Sequence, residues 1–286
     1  MSNSVENCTQ VTWFLLLGLT EQEGLKGTLF VLFLTVYLVT LVGNLGMIIL
    51  IHTEPQLHTP MYFFLSVLAF MDSSFSTVDT PKLLENFLTS SQSISFVGCV
   101  VQMALMTLHG IAECLLLAIM AYDRFVAICH PLLYHTIMSQ RLCVQLVAAT
   151  YTASVANSVL LTGYIFKLPY CGPNVINHYF CDIPPVLQLA VSYAYILVTI
   201  CRMHSPEAQS KALATCTSHL IIICLWYGTI IFMYAQPSSL SSTEQNKFVS
   251  VFYTVAIPVL NPLIYSLRNK DVKSALKRRY LGKLPS

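Results

Sequence analysis

GTLFVLFLTVYLVTLVGNLGMIILIHT, residues 27–53, contains no Asp, Glu, Lys or Arg. As a helix rising 1.5 Å per residue, such a run exceeds the roughly 20 residues that cross a hydrocarbon core of about 30 Å. Charge-free runs recur at 86–112, 142–166, 183–201, 212–243 and 248–267. A seventh apolar stretch, 60–81, is interrupted by Asp72 and Asp79 and holds Pro81 near its outer end. Over the whole chain 55% of residues are hydrophobic and 10% charged, against about 25% charged in a soluble globular protein. Water is therefore not the main solvent, and seven candidate spans among 286 residues leave no room for a soluble domain.

Barrel strands would alternate polar and apolar residues over about ten positions, and nothing here does so. The expectation is an all-α membrane protein: a seven-transmembrane helix bundle with spans at about 25–51, 60–81, 97–122, 142–166, 184–203, 212–236 and 247–267. Residues 1–24 would be extracellular, 25–267 the membrane domain and 268–286 a cytoplasmic tail forming a short amphipathic helix. The start of the chain lacks the cationic region of a signal peptide, and the apolar run Val11–Leu19 is too short to span. The first span is then the insertion signal.

Cations fix the orientation. With the N-terminus outside, Arg124, Arg141, Arg202, Lys211 and seven tail cations face the cytoplasm, eleven of the fifteen Lys and Arg. Lys26, Lys82, Lys167 and Lys247 remain outside, as the positive-inside rule favours. Asn7-Cys8-Thr9 is an N-x-T sequon that this topology puts in the lumen, making Asn7 a glycosylation candidate. The ten cysteines show no metal-site spacing.

Ionisable groups inside the membrane cost roughly 2.5–3.5 kcal/mol each on insertion scales, so each needs a partner, a proton or an ion. Asp72 lies about 12 residues into the second span and Glu113 about 11 residues before Arg124, at nearly equal depth. Two carboxylates at one depth repel, so one is protonated, or a small cation sits between them, or each is met separately by Ser73, Ser76, Asn44 or water. Asp123-Arg124 closes the third span; Arg124 is there either a snorkelling anchor or a functional charge. No HExxH, GxSxG or P-loop pattern supports catalysis, and no enzyme is expected.

MAYDRFVAICHPLLY at 120–134 resembles the odorant-receptor form of the signature that ends the third span. LHTPMYFFLSVLAFMD at 57–72, KALATCTSHL at 211–220, PVLNPLIYSLRN at 258–269 and Gly43-Asn44 in the first span agree with it, in order. The chain is thus similar, over almost its whole length, to odorant receptors of the rhodopsin-like G-protein-coupled class. The resemblance implies a cell-membrane receptor for smell that binds a small odorant within the bundle and passes the signal to a stimulatory, olfactory-type G protein. Its partners are then odorant, G protein and lipid, with no nucleic acid.

Residue by residue, the resemblance makes Arg124 a switch arginine held by Asp123 at rest, with Tyr193 and Tyr265 meeting it when active. Asn261 and Pro262 match an NPxxY element, where proline frees backbone groups and permits a kink. Asp72 and Glu113 match sodium-site carboxylates; no other cofactor is implied. Tyr227 takes the floor of the ligand pocket. Met103, Met106, Thr107, Gly110 and Ile111 take its third-span wall, Ile230 and Tyr234 the sixth, and Tyr253 and Thr254 the seventh. Met and aromatic residues at such spacing are also what plain helix packing produces. Cys99 would pair with Cys181 in a disulfide, leaving Cys171 odd.

The ligand class has bounds. No Lys lies in 248–267, which excludes a retinal Schiff base, and Met106 stands where amine receptors carry an acid. An apolar cavity with a few hydroxyls suits a small, neutral, volatile molecule.

The chain departs from the family where FCDIPPVLQLA at 180–190 runs directly into VSYAYILVTICR at 191–202. Set against the family pattern, a stretch containing the outer half of the fifth helix is missing at Ala190/Val191. The uncharged run 183–201 is 19 residues, about 28 Å as a helix, so this truncated fifth span only just crosses. Pro184 and Pro185 fall in its first turn, where N–H groups lack partners anyway. Leu187, Gln188 and Ala190 would face the pocket, weakening the odorant response. The competing expectation is a non-signalling receptor variant, retained in the cell or acting as a dimer partner. A transporter is disfavoured because no inverted repeat is evident.

Overall fold

A computed structural model describes residues 12–20, 22–89, 92–167, 175–176, 250–268 and 270–280. The expected spans at 184–203 and 212–236 lie outside these.

Four described helices are long and apolar enough to cross a membrane. They are α1 (Glu23–Thr53), α2 (Pro60–Leu88), α3 (Phe96–Cys129) and α5 (Gln140–Ile165), with the single turn α4 (Tyr134–Ile137) between the last two. The chain returns at Ser250 and passes through a π-helical turn, Phe252–Ala256, into α6 (Ile257–Arg268), followed by α7 (Lys270–Tyr280).

Sequence sets these boundaries locally. Pro60 begins α2, where a missing N–H costs nothing. Ser95 and Ser139 cap α3 and α5 by accepting from Gly98 and Leu142 N–H groups. Each helix outruns its charge-free stretch or ends near it. Pro81 does not stop α2, which continues to Leu88; the cost is one missing backbone bond, to the Thr77 carbonyl. Leu83, buried in the bundle, and the Lys82–Glu85 pair at 3.0 Å support the turns beyond it.

Packing follows the membrane as solvent. Lipid is as apolar as Leu, so helices associate through small and polar residues that permit close approach. On α5, Thr150, Ser154, Ser158 and Thr162 are buried at four-residue spacing, while Val155, Val159 and Leu160 are exposed. Ser158 donates to the Ala104 carbonyl of α3 at 2.6 Å. The inner half of the bundle is filled by Leu50, Phe64, Leu68, Leu116 and Met120, which also receive Val272 and Ala275 of the amphipathic α7. The outer half packs Phe33, Phe75, Leu83, Met106 and Ile257 from α1, α2, α3 and α6.

Alongside the expected helices the outer end carries a three-stranded sheet that the all-α expectation lacks. Its order is β2 (Ser93–Ser95), β1 (Trp13–Leu16), β3 (Val175–Ile176). β1 is antiparallel to β2, Trp13 facing Ser95, and parallel to β3, Leu15 facing Val175. Phe14 and Leu16 point inward onto Cys99 and Met103, while Trp13 is exposed. Four residues of alternation are too few to stand out in a sequence.

Candidate functional site

The site is built in three layers through the bundle. In the middle layer α2 meets α6: Asn261 Nδ2 donates to both Asp72 carboxylate oxygens, at 3.1 and 2.9 Å. Both residues are buried at 1% exposure, and Glu113 of α3, at 2%, lies close enough for its charge to act on Asp72. Ser73 instead donates to the Ala69 carbonyl, at 3.0 Å. Asn44 serves the Pro258 carbonyl, so neither it nor Ser73 is the partner of Asp72.

That last bond follows from two prolines. In an α-helix the carbonyl of residue 258 accepts from the N–H of residue 262, and Pro262 has none. Asn44 Nδ2 of α1 supplies the missing donor at 3.0 Å. Gly43 faces Pro262 here, and a Cβ on it would stand in ordinary contact, 3.4 Å from Pro262 Cγ. One turn earlier, Pro258 deprives the Thr254 carbonyl of its donor, and there the ladder widens into the π-turn.

In the inner layer Asp123, fully buried, accepts from Arg124 Nε at 3.0 Å and from Arg124 Nη2 on the same oxygen. Its other oxygen accepts from the Tyr134 hydroxyl at 2.7 Å. Burial, reinforced by the Asp123 carboxylate, pushes the Tyr134 phenol above its ordinary value, so it stays a donor. Arg124 is thus folded back on its neighbour rather than reaching for solvent. Tyr193 lies outside the described residues, as does the Tyr265 side chain.

In the outer layer Met103, Met106, Thr107 and Gly110 form one buried stripe of α3, with Ile111 half-buried beside it. Thr254 is buried in the π-turn, its hydroxyl donating to the Ser250 carbonyl at 3.0 Å. Tyr227, Ile230 and Tyr234 lie outside the described residues, as does the Tyr253 side chain. Cys99, at the outer end of α3, is disulfide-bonded, while Cys129 and Cys143 carry free thiols. Cys181 and Asn7 are also outside the described residues.

Sequence reasoning missed three elements of this arrangement. The Asn44 bond was legible in principle, because a proline at 262 names the carbonyl it orphans. The Tyr134 bond carried no signal beyond its place in the motif. Asp79, buried in α2 beside the outer layer, registered only as an interruption of an apolar run.

The family described as Olfactory receptor matches residues 33–191 and 185–283. Olfactory receptor 8U9 of Homo sapiens is 50% identical over 304 residues, covering 97% of this chain and 98% of that protein. Olfactory receptor 5P58 and Olfactory receptor 5P55 of Mus musculus are each 50% identical, over 304 and 307 residues. They cover 97% and 98% of this chain, and 94% and 99% of their own lengths. Since 97% of 286 residues is about 277, about 27 of the 304 positions aligned to the human protein fall opposite no residue here. The family match breaks and restarts within 185–191. On this likeness the chain belongs to the olfactory receptor family, and its fold is that family's seven-helix membrane bundle.

Proposed function

We propose that the chain is a ligand-activated receptor in the plasma membrane, N-terminus outside and tail in the cytoplasm. A small, neutral, volatile odorant binds in the outer layer of the bundle and favours a conformation that engages a stimulatory G protein. The chain itself performs no catalytic step. The observation that carries this reading is the closed inner lock, Arg124 folded onto a buried Asp123 that Tyr134 also holds. It is a charge placed at the cytoplasmic mouth that a rearrangement can release. Ligand binding shifts such an equilibrium only through differential affinity for the two states.

Asp72 and Glu113 fit a small cation: two carboxylates in one buried layer offer oxygen ligands, with the Asn261 amide already oriented on one of them. Sodium there would hold α2, α3 and α6 in the resting arrangement. Cys99 and Cys181 are the proposed disulfide and Asn7 the proposed glycan site.

A second reading, a non-signalling variant retained in the cell or acting as a dimer partner, is favoured by the roughly 27 unmatched positions and the break at 185–191. One experiment separates the two. Surface staining and cyclic-nucleotide output against an odorant panel are measured for this chain and for a version with a family-typical segment inserted after Ala190. The receptor reading expects a weak or absent response from the chain and a clear one from the insertion. Silence from both, with intracellular retention, favours the variant. A glycosylation-acceptor tag on the tail should stay unmodified; its glycosylation would overturn the topology.

A further inference from the structure

Asp79 is a buried acid without a described role. It is 1% exposed, and beyond its own turn, where Thr80 lies close, neither carboxylate oxygen meets a hydrogen-bond donor. Ser76 and Asn86, on the same inward stripe of α2, are 3% and 2% exposed, and the Ser76 hydroxyl and both Asn86 amide atoms are also unpartnered. A core built for packing does not collect four kinds of unmet polar atom on one face, because each costs free energy when water is excluded. The nearby cation is engaged elsewhere: Lys82 pairs with Glu85. His109 of α3 bonds its own helix at the Leu105 carbonyl, 2.8 Å away.

Its depth says which residues share its level. Asp79, Met106 and Thr254 each stand seven residues farther out than Asp72, Glu113 and Asn261, the three members of the middle layer. On α2 and α3 seven residues are two turns, so Asp79 and Met106 each lie about 10.5 Å above their inner counterparts and on nearly the same face of their helices. All three are buried, and Leu83, one turn past Asp79, packs in one cluster with Met106 and Ile257. The outer layer therefore brings a carboxylate to the level of the Met106 and Thr254 walls, opposite a π-turn of the kind that recurs at functional sites.

We propose that Asp79 anchors the odorant and that the odorant class it selects is a small aliphatic amine, bound as the ammonium with Ser76, three residues away on the same stripe, as a further hydrogen-bond partner. This rests on the receptor reading and refines its ligand. An alkylamine is volatile as the free base and becomes a cation in water, since alkylammonium groups titrate near about 10.4. A neutral odorant on arrival and a charged ligand in the pocket are then one molecule. The hydrocarbon body faces Met103 and Met106, and the ammonium replaces the water the acid loses on burial.

The test uses the full chain in lipid nanodiscs, with cyclohexylamine and its size-matched alcohol cyclohexanol as probes. Cyclohexylamine should raise the melting temperature of the chain well beyond the alcohol, and Asp79→Asn should lower its apparent affinity about 10- to 100-fold, the range for losing a charge-assisted bond. Unliganded Asp79→Asn should melt no lower than the parent, since it removes a buried acid that no other helix serves; Asp79→Ser serves if the amide variant misfolds. Equal shifts by amine and alcohol, or an amine shift that survives both substitutions, would overturn the proposal. The inserted version, assayed in cells, separates this from the receptor reading. Amine binding through Asp79 without any cyclic-nucleotide response sinks the receptor and keeps the site. Responses to neutral odorants that Asp79→Asn leaves unchanged keep the receptor and sink the site.

Discussion

Replacing Asn44 with Leu should expose how α1 is fastened to α6. The substitution leaves the Pro258 carbonyl buried with no donor, because Pro262 cannot supply the helical one. Asn44 also donates to the Thr40 carbonyl at 3.0 Å, but that carbonyl keeps the backbone N–H of residue 44. Only the bond to Pro258 is lost without replacement. An unmet buried carbonyl costs about 1–3 kcal/mol in general, and interhelical bonds in membrane bundles average about 0.6 with a maximum near 1.7. Taking about 1 kcal/mol, and about 2–4 °C per kcal/mol for a domain near this size, the melting temperature in nanodiscs should fall by about 2–4 °C. The decisive control is Pro262→Ala, which returns an N–H to position 262 and lets the helix satisfy its own carbonyl. In that background Asn44→Leu should cost clearly less, a coupling measurable in a double-mutant cycle. The lost contact between Gly43 and Pro262 is common to both Pro262→Ala forms and cancels. Equal costs in the two backgrounds would refute the idea that Asn44 serves the carbonyl Pro262 releases.

Tyr134→Phe removes one of the bonds that hold Asp123 in the lock; weakening it by about 1 kcal/mol shifts a two-state ratio about fivefold. Ligand-free cyclic-nucleotide output of a surface-competent form should therefore rise, and an unchanged baseline would show that the tyrosine is only a packing residue. Asp72→Asn and Glu113→Gln should each alter sodium sensitivity or basal output; indifference of both variants would dismiss the shared site. Cys99→Ser and Cys181→Ser should each reduce surface delivery as much as the double substitution, since one bridge worth about 2–5 kcal/mol is lost either way. Clearly additive defects would mean that Cys99 pairs with a different cysteine.

Membrane crossings were legible because the solvent writes them: a charge-free run is long enough or it is not. Helix ends were less so. α2 and α3 extend to Leu88 and Cys129, beyond 60–81 and 97–122, because once packed a helix tolerates Pro81 or the Asp123-Arg124 pair without stopping. The pairing of Asp72 with Asn261 joins residues 189 apart in sequence, and that of Asn44 with Pro258 joins residues 214 apart. Depth counting found that Asp72 and Glu113 share a layer, but depth does not tell which side chain turns toward which. Asp79 was overlooked for a related reason. Periodicity ranks it as one polar interruption among several, and its lack of partners becomes visible only when its neighbours are in place.

The outer sheet imposes an order on biosynthesis. β1 is its central strand, so the first strand made is the one that needs both others, and the later of these ends at Ile176. Ribosomes add about 5–20 residues per second, so the 160 residues from Leu16 to Ile176 take about 8–32 s. Throughout that interval Trp13–Leu16 has at most one neighbouring strand, while four helices long enough to cross a membrane are made. A chaperone or an abutting epitope tag that holds the strand longer would delay closure of the outer face, even with every membrane helix correctly inserted.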